Sequence, residues 1–191
     1  MGRSKEASFV VDHSGKQKDY VLWKYEILRE FVNKEPRILA RIYHKDKKRY
    51  LTSVRFQTLN HPEFTFWYEI FYRDGRKIIP KNIREILTSP LALAVWFMDD
   101  GNKNHQAVFL NTQQLQISEQ ERLMKCLHDN FGLECMLNKH SVSKGKQLYR
   151  IRVDTKSTKI LSAIVGDYLL SSMQYKIPFV PVTTSLQATE R

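Results

Sequence analysis

"SPLALAVWFMDDG", residues 89–101, decides the fold. Serine followed by proline reads as a helix start, a cap and then a residue whose fixed φ suits the first helical position. Eight apolar residues, Leu91 to Met98, follow without interruption, and Gly101 reads as the stop. The stretch predicts a helix of about three turns at 1.5 Å per residue. It is apolar on every side, which predicts burial. Yet it ends in Asp99 and Asp100, where the negative end of the helix dipole disfavours each carboxylate by about 0.3–1 kcal/mol. Local conflicts of this kind mark functional sites. A divalent cation resolves this one: hard carboxylate oxygens suit Mg²⁺ (or Mn²⁺), which keeps waters and leaves room for a phosphate oxygen. The competing reading is a solvated Asp-Gly turn closing a core helix.

Working outward, residues 7–12 read as a strand and 17–32 as an amphipathic helix, with Val21, Tyr25, Leu28 and Val32 at helical spacing. Residues 37–58 read as a hairpin, 61–72 as a helix and 81–87 as a short helical turn. Beyond Gly101, 107–113 reads as a strand. Ser118-Glu119-Gln120-Glu121 reads as a capping box opening a helix that Gly132 closes. Residues 134–140 and 148–154 form a hairpin about Ser143-Lys144-Gly145, and a last helix runs over 155–165.

This order repeats. Val10 matches Leu110 at a spacing of 100, Arg55 matches Arg150 at 95, and Lys77 matches Lys176 at 99. Three ordered landmarks predict a duplicated α+β fold, divided into an incomplete first half (1–88), a second half (89–182) and a polar tail (183–191). Asp100 minus 99 is position 1 and Gly101 minus 99 is Gly2, so the counterpart of the acidic helix is expected before Gly2.

Lys and Arg number 31 against 20 acids, a formal charge of +11 and a pI near 9.6. That surplus points to a polyanion, nucleic acid before an acidic membrane surface. No apolar run is long enough to span a bilayer, and the N-terminus has no secretory h-region. Two cysteines without CxxC spacing argue against a disulfide framework and a cysteine-rich zinc site. The six histidines show no ligand spacing. The expected compartment is the cytoplasm, or the stroma or matrix of an organelle, and not the secretory route. In the first hairpin Arg41, Tyr43 and Lys45 alternate with Ile42, and Arg55 and Gln57 with Val54 and Phe56. In the second, Arg150 and Arg152 alternate with Tyr149, Ile151 and Val153. Each sheet thus presents a polar face able to read base edges, with Arg on guanine and Gln on adenine. Lys45, Lys47, Lys48 and Arg49 at the first tip suit phosphates. Lys77 and Lys176 sit in matching connections and suit stabilisation of a phosphoryl transition state. Gln113, at a strand end, suits the orientation of a water.

"LAVWFMDDG" (93–101), "VFLNTQQ" (108–114) and "SSMQYKIP" (171–178), with the upstream "RFQTLNHPEF", "FYRDGRKIIPKNI" and "ILTSPLALAVWFMDDG", resemble the intron-encoded, two-motif branch of the LAGLIDADG homing endonucleases. The resemblance runs over about residues 4–180. It implies an αββαββα unit used twice, the two motif helices packed along a pseudo-twofold axis, and a β-saddle on a long asymmetric site in double-stranded DNA. It makes Asp100, with Gly101, the metal site. Asp99, where the family name has alanine, becomes a neighbour. It implies Lys77 and Lys176 as active-site lysines, and Gln113, with His13 in the first half, as the strand-end polar residue. Mg²⁺-assisted hydrolysis then cuts both strands, leaving 3′ overhangs. Lys103, Asn111 and Lys139 join Arg41, Tyr43, Lys45, Lys47, Lys48, Arg49, Arg55, Gln57, Arg150 and Arg152 as expected DNA contacts. The first motif helix is expected upstream of Gly2, so the chain reads as a monomer, or one completed by an N-terminal segment, that nicks DNA or cuts it poorly. The rival readings are a maturase that binds intron RNA and a non-catalytic DNA-binding regulator.

Overall fold

The computed structural model describes the backbone of residues 6–44 and 49–179, and the side chains of these except 41–44, 49 and 50. Lys45, Lys47 and Lys48 lie outside the described residues, as do the side chains of Arg41, Tyr43 and Arg49. The chain divides into two compact units between Pro80 and Lys81.

The first unit runs β1 (Val10–Ser14), α1 (Lys18–Ile27), β2 (Arg37–His44), β3 (Arg49–Gln57), α2 (Pro62–Phe71), β4 (Tyr72–Arg73) and β5 (Arg76–Lys77). Its main sheet has the antiparallel order β1-β3-β2. Val11, Val54 and Phe56 from the sheet meet Val21 and Tyr25 of α1 and Val32 beyond it. β1 starts later than expected, because residues 7–9 are held otherwise. The Ala7 N–H donates to Thr65 Oγ1 and the Phe9 N–H to Thr58 Oγ1, at 2.9 and 2.8 Å. The helix expected over 17–32 ends at Ile27. A 3₁₀ turn, Arg29–Phe31, follows, and Val32 is extended, which brings it into the core. In β2 a bulge falls between Ala40 and Ile42, so the alternation expected from Arg41 through Lys45 is interrupted at Arg41.

The second unit runs α3 (Ile83–Ile86), α4 (Pro90–Asp100), β6 (Gly101–Asn104), β7 (Ala107–Leu110), α5 (Ile117–Phe131), β8 (Cys135–Ser143), β9 (Lys146–Val153) and α6 (Thr155–Val165). A 3₁₀ turn, Ser171–Lys176, follows. The sheet order is β6-β7-β9-β8. α3 belongs with this unit: Asn130 Nδ2 donates to the Arg84 and Leu87 carbonyls at 2.7 and 2.8 Å. β6, "GNKN", has no strand-like composition and was not expected. Pairing with the fully buried β7 imposes it. α5 is capped by Gln116 and not by Ser118. The Glu119 carboxylate accepts from the Gln116 N–H at 2.7 Å, and its three-residue reach sets the cap at 116. Gly132 closes α5 at φ +66, and Lys144 and Gly145, both at positive φ, make the β8–β9 turn. Both cysteines are free. Burial raises both thiols, Cys135 to about 12, with Asp154 and Glu134 adding to the rise, so neither offers a thiolate nucleophile.

The two sheets share one plan, with β1-β3-β2 of the first repeated as β7-β9-β8 of the second. The pairing moves one landmark. Val11 lies opposite Phe56 and Leu110 opposite Ile151. Val11 and Leu110 are buried, while Val10 is exposed. The partner of Leu110 is therefore Val11, at a spacing of 99, the same as for Lys77 and Lys176. A one-residue slip would turn the strand inside out. With this register His13 corresponds to Thr112, and not to Gln113.

Candidate functional site

α4 buries Leu93, Ala94, Phe97 and Met98 completely, worth about 1.5–3 kcal/mol for each large side chain. Leu91 and Asp99 are exposed, and Asp100 is half-buried at the last position. Ser89 occupies the cap position, but its side chain makes no capping hydrogen bond, and Pro90 at the first helical position carries the start. Gly101 ends α4 for a reason other than the expected one. Its φ is −78, an ordinary value for any residue. A Cβ there would collide with the ring and carbonyl of Phe97, whose oxygen accepts the Gly101 N–H. Gly101→Ala is expected to lower the unfolding free energy by about 1–3 kcal/mol in urea titration, the usual cost of overpacking.

The conflict between the acid pair and the helix dipole has an answer within the chain. Lys176 is buried, and its ammonium donates to the carbonyl of Met98 and, at 3.3 Å, to that of Asp99. A full positive charge thus sits on the last turn of α4, where the dipole favours it. Lys176, expected as an active-site lysine, is in contact with the helix end that carries Asp100. Lys77, in the other unit, is exposed on β5 opposite Tyr72.

From Asp100 the chain passes directly into β6. The Asn111 N–H donates to the Asp100 carbonyl at 2.9 Å, which ties the acid to the end of β7. The next turn is fixed by a buried network. Thr112 Oγ1 donates to Gln120 Oε1 at 2.9 Å and accepts the Ile151 N–H at 3.1 Å, while Gln120 Nε2 donates to the Tyr149 carbonyl at 3.1 Å. This turn carries Gln113, whose Oε1 is buried and meets no donor among the described residues. Among the described residues no cluster of three or more His, Cys, Asp or Glu side chains could hold a metal. The donors at the end of α4 are the Asp100 carboxylate and backbone oxygens. Such hard oxygens fit a cation that completes its shell with water and phosphate oxygens.

The pairing sorts the expected DNA contacts by face. Val108, Leu110, Ile151 and Val153 point to the core. The opposite face carries Phe109, Asn111, Arg150 and Arg152, joined through the ladder by Asn102, Asn104, Met136 and Asn138. The Arg150 guanidinium lies 3.6 Å from the Phe109 ring centroid, and burial lowers its pKa below the ordinary value without removing its charge at neutral pH. Lys103 pairs with Val108 and Lys139 with Tyr149, so both belong to the face opposite Arg150, although both are exposed. Asn111 was expected, whereas Asn102, Asn104 and Asn138 were missed on sequence. Their signal is register with Phe109 and Arg150, which appears only once β6 and β8 are paired. In the first unit Arg55 stands opposite Asp12, with an ion pair at 4.0 Å, and Gln57 Nε2 donates to Ser8 Oγ at 2.8 Å.

The family model described as the LAGLIDADG DNA endonuclease family matches residues 2–161. A cytochrome b mRNA maturase bI2 from Debaryomyces hansenii is 28% identical over 166 residues, which are 85% of this chain and 61% of that protein. The chain therefore spans less than two thirds of that relative. A probable intron-encoded endonuclease 1 from Wickerhamomyces canadensis is 27% identical over 178 residues, 90% of this chain and 74% of that protein. The solved structure of the homing endonuclease I-WcaI bound to its DNA recognition sequence superposes with a TM-score of 0.79 at 24% identity, covering 95% of this chain and 79% of that one. That likeness shows the α+β fold. With the family model spanning most of the chain, the conclusion is direct: the chain belongs to the LAGLIDADG DNA endonuclease family.

Proposed function

We propose that this chain binds a long asymmetric site in double-stranded DNA and hydrolyses a phosphodiester bond there with Mg²⁺. One observation carries the reading. Asp100 ends a helix with one buried face, beside a sheet whose outer face carries Arg150, Arg152 and four asparagines. The arginines and asparagines read base edges. The Asp100 carboxylate, with the Gly101 carbonyl, holds the ion. The bound ion supplies charge neutralisation at the phosphate and a water of lowered pKa. Lys176 keeps the end of α4 in place, and Gln113 Oε1 accepts a hydrogen bond from a water near the phosphate. Lys77 serves the corresponding position in the first unit. No helix among the described residues is long and apolar enough to cross a membrane. The proposed place of action is the cytoplasm or an organelle interior where the target DNA lies.

A second reading has its own support: two relatives are named mRNA maturases. On that reading the same basic faces bind intron RNA. Fluorescence anisotropy against salt separates the two. Duplex DNA affinity is expected to fall by at least about tenfold between 50 and 200 mM salt as phosphate contacts release counterions, and excess structured RNA is expected to compete weakly. Salt-insensitive binding, or RNA preferred over DNA, overturns the DNA reading.

A further inference from the structure

We propose that Arg152 and Met136 together recognise a guanine beside a pyrimidine that carries a methyl group at C5, thymine or 5-methylcytosine. This rests on the reading that the chain binds duplex DNA, and it names a base step that the second unit selects.

The ladder sets four side chains in one row on the polar face. Asn102 pairs with Phe109, Phe109 with Arg152, and Arg152 with Met136. Directly paired residues of neighbouring strands bring their Cβ atoms to about 4.5–5.5 Å. Arg152 thus stands between a ring and a thioether. Phe109 is 3% exposed, whereas Met136 is 48% exposed. Among the described residues of this face, Met136 is the exposed apolar side chain. One exposed methionine is ordinary on a protein surface. What distinguishes Met136 is its partner. The Arg152 guanidinium donates through Nη1 to Met136 Sδ at 3.8 Å. A thioether sulfur is a weak acceptor, so the contact directs the guanidinium and leaves its strong hydrogen bonds to be made elsewhere. The other arginines are held differently. Arg55 has the Asp12 carboxylate at 4.0 Å, and Arg150 has the Phe109 ring.

Guanine offers O6 and N7 to such a fork in the major groove, and the apolar group found there is the C5-methyl of thymine. 5-Methylcytosine carries the same methyl on a C·G pair. Successive bases of one strand are about 3.4 Å apart. A methionine whose sulfur lies 3.8 Å from the guanidinium therefore reaches the base next to the guanine that Arg152 holds. There the flexible thioether covers a C5-methyl that otherwise faces water. The C5–H of cytosine or uracil leaves that contact unmade. Arg152 reads guanine by hydrogen bonds, and Met136 reads the methyl by burial. Uracil in RNA lacks the methyl, so the same contact favours DNA.

The test uses the full chain and the duplex that it selects from a randomised pool. Repeating the selection with Arg152→Ala locates the guanine, as the position whose preference relaxes. Thymine is expected beside it on the same strand. Replacing that thymine by deoxyuridine removes the methyl alone. By fluorescence anisotropy this is expected to weaken binding about three- to fivefold. With a C·G pair at the same position, 5-methylcytosine is expected to bind more tightly than cytosine by a similar factor. Met136→Ala is expected to bind the thymine and deoxyuridine duplexes alike, and Met136→Leu to keep most of the difference. Met136 is exposed, so both variants keep the fold, which circular dichroism checks. The proposal is overturned by a selected site in which no guanine depends on Arg152, or by a base other than thymine beside that guanine. It is equally overturned by discrimination against deoxyuridine that Met136→Ala retains. Equal binding of the thymine and deoxyuridine duplexes by the unaltered chain, with salt-sensitive affinity intact, overturns this proposal and leaves the DNA reading standing. Failure to bind any duplex overturns both.

Discussion

Asp100→Asn is expected to reduce DNA strand scission by at least about 100-fold, with DNA affinity and urea midpoint nearly unchanged. The substitution keeps size and shape and removes the negative charge that holds a hard cation. Losses of two or more orders of magnitude follow when a group stabilises only the transition state. Affinity should persist because base and phosphate contacts lie on the strands, with Arg150 and Arg152 on β9. The fold should persist because the Asp100 backbone, not its side chain, makes the bond to Asn111. Initial rates on a radiolabelled duplex, beside anisotropy with the same duplex, check both parts. Scission surviving in Asp100→Asn removes the metal role from this residue.

Lys176→Met should lower stability by about 1–3 kcal/mol, since it leaves the buried carbonyl of Met98 and the part-buried carbonyl of Asp99 without a charged donor. Methionine keeps most of the volume, so the loss reports the charge and not a cavity. Urea denaturation reads it directly. The same change should lower scission, because the turn that holds Asp100 loosens, and added Mg²⁺ should restore little of it. A purely chemical lysine would show the opposite split, with activity lost and stability kept.

Much of this was legible in residue order. The helix at 90–100, the hairpins and the helix at 155–165 follow from caps, apolar runs and turn residues that agree with one another. β6 was not legible. "GNKN" carries no strand preference, and only pairing with β7 makes it one. The cap at Gln116 was hidden because Ser118 offers the better local pattern, while Glu119 selects the residue three before it. The acid pair was legible as a conflict, but its resolution lies 76 residues on from Asp100, in Lys176, and no local rule reaches that far. The duplicated plan was visible at low identity, and strand pairing was needed to move Val10 to Val11. The polar face was half legible. Arg150 and Arg152 announce themselves by alternation, whereas Lys103 and Lys139 turn out to share the opposite face.

The most direct test of the central claim is strand scission on duplex DNA that the chain itself selects from a randomised pool. Each strand of the selected duplex is end-labelled in turn and incubated with Mg²⁺ or with EDTA. The account predicts breakage at a fixed phosphodiester bond, in Mg²⁺ only, and absent with Asp100→Asn. No site-specific breakage in Mg²⁺, or equal breakage by the Asp100→Asn chain, would contradict it.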